Sequence, residues 1–77
     1  MKEEEIKKIL LQDSEEFRRI YEEHQRCEKA LNEIQSKSFL NEDDYLQEKQ
    51  LKKKKLKLKD EMYRIISRFE RRTENDG

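Results

Sequence analysis

SKSFLNEDDY, residues 36–45, decides the fold. It interrupts two long runs of helix-forming sequence and carries the marks of a helix start. Asn41 is a strong N-cap residue, Asp44 follows at the third helical position, and Glu42 and Asp43 fill the first turn with negative charge that complements the helix dipole. Leu40 and Tyr45 stand at the two positions that a hydrophobic staple joins. The segment therefore reads as the end of one helix, a turn over about 37–41, and the start of another.

Upstream of the turn, Ile6, Leu10, Phe17, Ile20, His24, Cys27, Leu31 and Ile34 recur at steps of three and four, with Asp13 as the polar gap and Ile9 and Tyr21 widening the stripe. At 100° per residue these positions form one amphipathic face. Asp13 precedes Ser14-Glu15-Glu16-Phe17, and an Asp with a Glu three residues later resembles a capping box. It reads either as a break near 12–14, which makes the first part a short N-terminal lead-in helix over about 3–11, or as an exposed mid-helix residue in one helix over about 3–36.

Downstream, the second helix is expected over about 42–71, with a main stripe of Leu51, Leu58, Met62, Ile65, Ile66 and Phe69. Residues 72–77 hold no apolar side chain and are expected to form a disordered tail. A short connection implies antiparallel neighbours. Aligned about the turn, the stripes pair Phe17 with Ile65, Ile20 with Met62, His24 with Leu58 and Leu31 with Leu51. The expected fold is all-α: one antiparallel two-helix hairpin with coiled-coil-like packing, as a single domain.

Composition supports this and removes other classes. With 77 residues there is room for one small domain. The chain has no Pro and one Gly, and 49% of it is charged against 31% hydrophobic. That mixture suits long helices and lacks what a sheet needs. Such charge also marks disorder, but the net charge is zero and the apolar residues are periodic. Residues 1–48 carry 8 basic and 14 acidic side chains and residues 49–77 carry 11 and 5, so folding back sets an acidic half on a basic one. A single cysteine, Cys27, excludes an internal disulfide, no apolar stretch approaches a membrane span, and Met1–Lys8 is too charged for a signal peptide. The expectation is a soluble cytoplasmic protein.

Two strings also carry a family resemblance: FRRIYEEH, residues 17–24, with its Phe17, Ile20 and His24, and LKKKKLKLKDEM, residues 51–62. Together, over roughly residues 6–68, they resemble the YdcH-like family of small bacterial proteins of unknown function. Cys27 departs from the Leu usual there, and Ser14 stands where Pro is common. The resemblance implies a helical hairpin and coiled-coil association, and no known activity.

No reaction centre emerges. His24 and Cys27 lie three apart and could offer two metal ligands, but a structural zinc site needs four and the chain has no second His or Cys. The plainer reading is a packed His beside a small apolar Cys. A Cys–His nucleophile would need a pocket and oxyanion donors. Glu3-Glu4-Glu5 and Glu42-Asp43-Asp44 sit at helix starts, where acidic residues complement the dipole. Lys52, Lys53, Lys54 and Lys55, with Lys57 and Lys59, are the candidate weak polyanion contact. They spread around the helix, lack interleaved aromatics, and face Glu22, Glu23, Glu28 and Glu33 across the hairpin.

The second helix has more apolar side chains than one neighbour can cover. Leu58, Met62, Ile65 and Phe69 fall within about 40° of Leu51, whereas Tyr45, Leu56 and Tyr63 fall roughly 120–140° away and Ile66 bridges the sets. The expected hairpin core is thus Phe17, Ile20, His24, Leu31, Leu51, Leu58, Met62 and Ile65; the candidate association surface is Tyr45, Leu56, Tyr63 and Ile66. The expectation is a non-enzymatic interaction or scaffold protein without cofactor, substrate or membrane contact. It would bind itself, as a dimer or small bundle, or another protein; the alternative is a nucleic-acid-associated accessory protein using the lysine-rich helix.

Overall fold

The computed structural model describes residues 2–75. They form three helices: α1 (Glu3–Asp13), α2 (Glu15–Gln35) and α3 (Glu42–Asn75). The body is rod-like, 54 × 19 × 17 Å. α2 and α3 run antiparallel: Ala30 lies against Gln47–Leu51, whereas Tyr21 and His24 lie against Lys59–Tyr63.

Each boundary has a local cause. At 36–41, the Ser36 hydroxyl donates to the Glu33 carbonyl at 2.8 Å and the Lys37 N–H to that of Ile34 at 3.2 Å, closing α2. α3 then opens on a reciprocal cap. Asn41 Oδ1 accepts from the Asp44 N–H at 2.8 Å, and Asp44 Oδ2 accepts from the Asn41 N–H at 3.2 Å. Lys37 Nζ donates to Asp44 Oδ1 at 2.9 Å and locks the turn from the other side. That bond and the Asn41 N–H hold the Asp44 carboxyl below its usual 3.8. Tyr45 remains 60% exposed while Leu40 is half-buried.

The first break is real, but its cap is Ser14 and not Asp13. Asp13 is the last residue of α1, while Ser14 is extended (φ −114°, ψ 110°) and its Oγ accepts the Phe17 N–H at 3.1 Å. Arg18 reaches back to the carbonyls of Leu11 (Nε, 2.8 Å) and Gln12 (Nη2, 3.0 Å). A helix leaves its last carbonyls without intrahelical donors, so Arg18 both ends α1 and pins it to α2.

This turn corrects the two-helix picture. α1 is not a lead-in but a third packed helix, folded back along the open end of the hairpin against both α2 and α3. Ile6 and Phe17 are fully buried and Leu10 nearly so, in one cluster with Met62 and Ile66; Leu11, Ile20, Tyr21, Ile65 and Phe69 pack around it. Each large side chain buried there contributes about 1.5–3 kcal/mol. Towards the turn only two helices remain, and the seam narrows to Cys27, Leu31 and Ile34 on α2 with Leu58 and the half-buried Leu51 on α3.

Two further expectations change. Ile66 was placed on the association surface, yet it is 3% exposed, because its bridging direction meets α1. The chain beyond 71 was read as a disordered tail, yet α3 runs through Asn75. No Pro or Gly intervenes before Gly77, Arg72 favours the helix C-terminus, and the Thr73 hydroxyl donates to the carbonyls of Phe69 and Glu70. The last part of the tail, residues 76–77, lies outside the described residues. No helix is long and apolar enough to cross a membrane among the described residues.

Candidate functional site

α3 is 34 residues long, and its neighbours cover only part of its circumference. Its inner line runs through Leu51, Lys55, Leu58, Met62 and Ile66, all buried or half-buried. The opposite side carries large apolar groups in water: Tyr45 at 60%, Leu56 at 62% and Tyr63 at 45% exposure. Their spacings of eleven and seven residues return each to nearly the same helix direction, so they form one strip about 27 Å long at 1.5 Å per residue. Leu46 and Phe39 are also exposed, and the sequence reading missed both. Leu46 lies on the far flank of the strip, and Phe39 belongs to the turn, where helical periodicity gives no signal.

The remaining expected core residues divide by depth. Phe17, Leu31, Leu58 and Met62 are buried; Ile20, His24, Leu51 and Ile65 are half-buried. The six lysines do not act as one group. Lys55 crosses the seam to Glu28 at 3.4 Å, Lys54 reaches Glu23 at 3.8 Å, and Lys52 pairs with Glu48 of its own helix at 3.4 Å. Lys53, Lys57 and Lys59 are exposed and make no ion pair among the described residues.

Among the described residues, half-buried His24 holds the one buried side-chain polar atom without a hydrogen-bond partner. That atom is Nε2, and the residue lines an open groove of about 390 Å³ between apolar side chains such as Leu11, Tyr21 and Met62 and charged ones such as Lys7 and Lys59. Burial pushes its pKa below the usual 6.5; Glu28 opposes this, and Lys55, Lys59 and Lys7 reinforce it. Cys27, one turn on, is buried and points into the seam beside Leu51. Among the described residues, no three His, Cys, Asp or Glu side chains gather closely enough to hold a metal ion.

A testable consequence follows for His24. Leaving a buried polar atom unpaired costs on the order of 1 kcal/mol or more, so His24→Leu should raise Tm at neutral pH by roughly 4–8 °C. The sign with pH is set by the lowered pKa. Neutral His24 is favoured in the fold, so its contribution is complete above about 6.5 and is lost as pH falls through the lower folded-state value. The Tm gap between variant and wild type should therefore widen between pH 7.5 and 5, as followed by circular dichroism. A gap that narrows on acidification would mean that the imidazolium has a stabilising partner.

No curated protein and no solved structure matches the chain. A family model does, across the α2–α3 hairpin from Phe17 to Ile66, leaving α1 outside. The match covers residues 17–66, and the chain belongs to the family described as "Protein of unknown function (DUF465)".

Proposed function

We propose that this protein is a small, non-enzymatic helical interaction module that works through the outer face of α3, by associating with itself or by docking another protein. The observation that carries this reading is the exposure of Tyr45, Leu56 and Tyr63 along one line of a highly charged helix. Large apolar groups aligned on a polar surface tend to mark contacts. α2 backs α3 along the hairpin and α1 joins it near Met62 and Ile66, so the strip is presented on the outside of the rod. A cytoplasmic setting suits the lone cysteine. The coiled-coil association that the YdcH-like resemblance implies points the same way. The nucleic-acid reading gains less support, since three of the six lysines are engaged in ion pairs.

The test is a photo-crosslinking amino acid at position 56, compared with one at Lys29, an exposed residue of α2. In cells that make the protein, position 56 should give discrete protein adducts, to this chain or to another, and position 29 should not. Equal labelling at both sites, or adducts to nucleic acid from position 56, would overturn the reading.

A further inference from the structure

We propose that α3 carries a second contact site, separate from the apolar strip: a line of cations that docks an acidic helix of another protein. Lys53, Lys57, Arg64, Arg68 and Arg71 are all exposed and make no ion pair among the described residues. At 100° per residue they point within about 30° of one direction, along roughly 27 Å of helix. That direction lies about 130° from the buried line of Leu51, Leu58 and Met62 and about 100° from the strip of Tyr45, Leu56 and Tyr63. The angle explains why these cations are unpaired. Lys54 and Lys55 turn back towards α2 and reach Glu23 and Glu28, whereas the five on the line face away from both other helices.

The charge of this side is one-signed beyond the line itself. Lys49, Lys54 and Arg72 flank it, and between residues 49 and 72 the half of the helix centred on it holds two acids, Asp60 and Glu61. Helix stability does not account for the pattern. Lys53 and Lys57, and Arg64 and Arg68, stand four apart, and Arg68 and Arg71 three apart, spacings at which like charges weaken a helix. The helix dipole favours cations only in the last turn, which accounts for Arg71 and Arg72 and not for the rest. Around Arg64, Ser67, Arg68 and Arg71 the surface forms an open hollow of about 520 Å³, where guanidinium forks can receive carboxylates in pairs.

Spacing selects the occupant. The line offers one cation per roughly 7 Å, close to the 5.4 Å at which a helix repeats a carboxylate once per turn. A nucleic acid duplex presents a phosphate about every 1.7 Å, far denser than the line, and no aromatic side chain interleaves these cations as a stacking platform would require. An anionic membrane would need apolar side chains on the same face, and the strip points aside.

The probe is a capped, alanine-based helical peptide of about 20 residues with Glu at steps of four and three along one face, titrated against the full chain at low salt, where charge pairs are least screened. The peptide should bind, and its Gln-for-Glu version should not. Arg64→Gln, Arg68→Gln should weaken binding about tenfold. Asp60→Asn, which removes an acid from the line, should tighten it roughly twofold to threefold. Arg26→Gln, Lys29→Gln, which removes the same charge from the exposed side of α2, should leave it within about twofold. Far-UV melting confirms that each variant is folded. Failure of the Glu peptide to bind overturns the proposal, and so does equal weakening by the two double variants, since charge anywhere would then suffice. Duplex RNA or phosphatidylserine vesicles held tenfold more tightly through the same two arginines would overturn it by naming another occupant. Self-association lost in Arg64→Gln, Arg68→Gln would do the same, by making the occupant a second copy.

Discussion

Replacing Phe17 with alanine is expected to unfold the chain at room temperature. Phe17 is fully buried where all three helices meet, and its N–H is the one that the Ser14 Oγ cap receives. Truncating a buried Phe to Ala costs about 3–5 kcal/mol. A chain of this size draws about that much from its whole core, so one substitution removes most of the margin. Ile6→Ala, at the equally buried end of α1, is expected to be nearly as damaging. That comparison is sharp, because a lead-in helix hanging off a two-helix hairpin would tolerate the change. Urea unfolding followed at 222 nm measures both; an Ile6→Ala midpoint equal to wild type would show that α1 is not part of the core.

How far the sequence could be read depends on what each residue answers to. Asn41 and Asp44 were legible because a cap is local: two side chains and two backbone N–H groups within four residues close it. The stripe residues Phe17, Leu31, Leu58 and Met62 were legible because periodicity reports a face directed at a neighbour. Ile66 was not, because an angular argument with one neighbour leaves it bridging two faces, and only the return of α1 supplies the second. That return depends on Arg18 accommodating the carbonyls of Leu11 and Gln12, a contact across six and seven residues that no period encodes. Ser14 and Asp13 are both good caps, and the choice between them turned on one residue of extended backbone. Lys55 was read as one of a run of surface lysines. It instead occupies the inner line of α3, and its four-carbon stem lies in the seam while its ammonium reaches Glu28. The outer strip could be read from angles alone, because Tyr45 and Leu56 point away from both neighbours, and only Tyr63, at the edge of the groove beside α1, is partly covered.

The second large effect concerns association. In Leu56→Lys, Tyr63→Lys the two central apolar groups of the strip become charges on a helix already rich in lysine, and both are exposed in the single chain, at 62% and 45%. The fold of the isolated chain should therefore be little changed, within about 0.5 kcal/mol as for other surface substitutions, while self-association should be lost. The discriminating feature is this separation of folding from assembly, which neither Phe17→Ala nor Ile6→Ala can give. Sedimentation equilibrium from micromolar to hundreds of micromolar, on wild type and double variant with their melting curves alongside, tests the central claim most directly. The account predicts a wild type that passes from monomer to dimer across that range and a folded variant that stays monomeric throughout. A wild type that is monomeric at hundreds of micromolar, or a double variant that assembles as the wild type does, would contradict it.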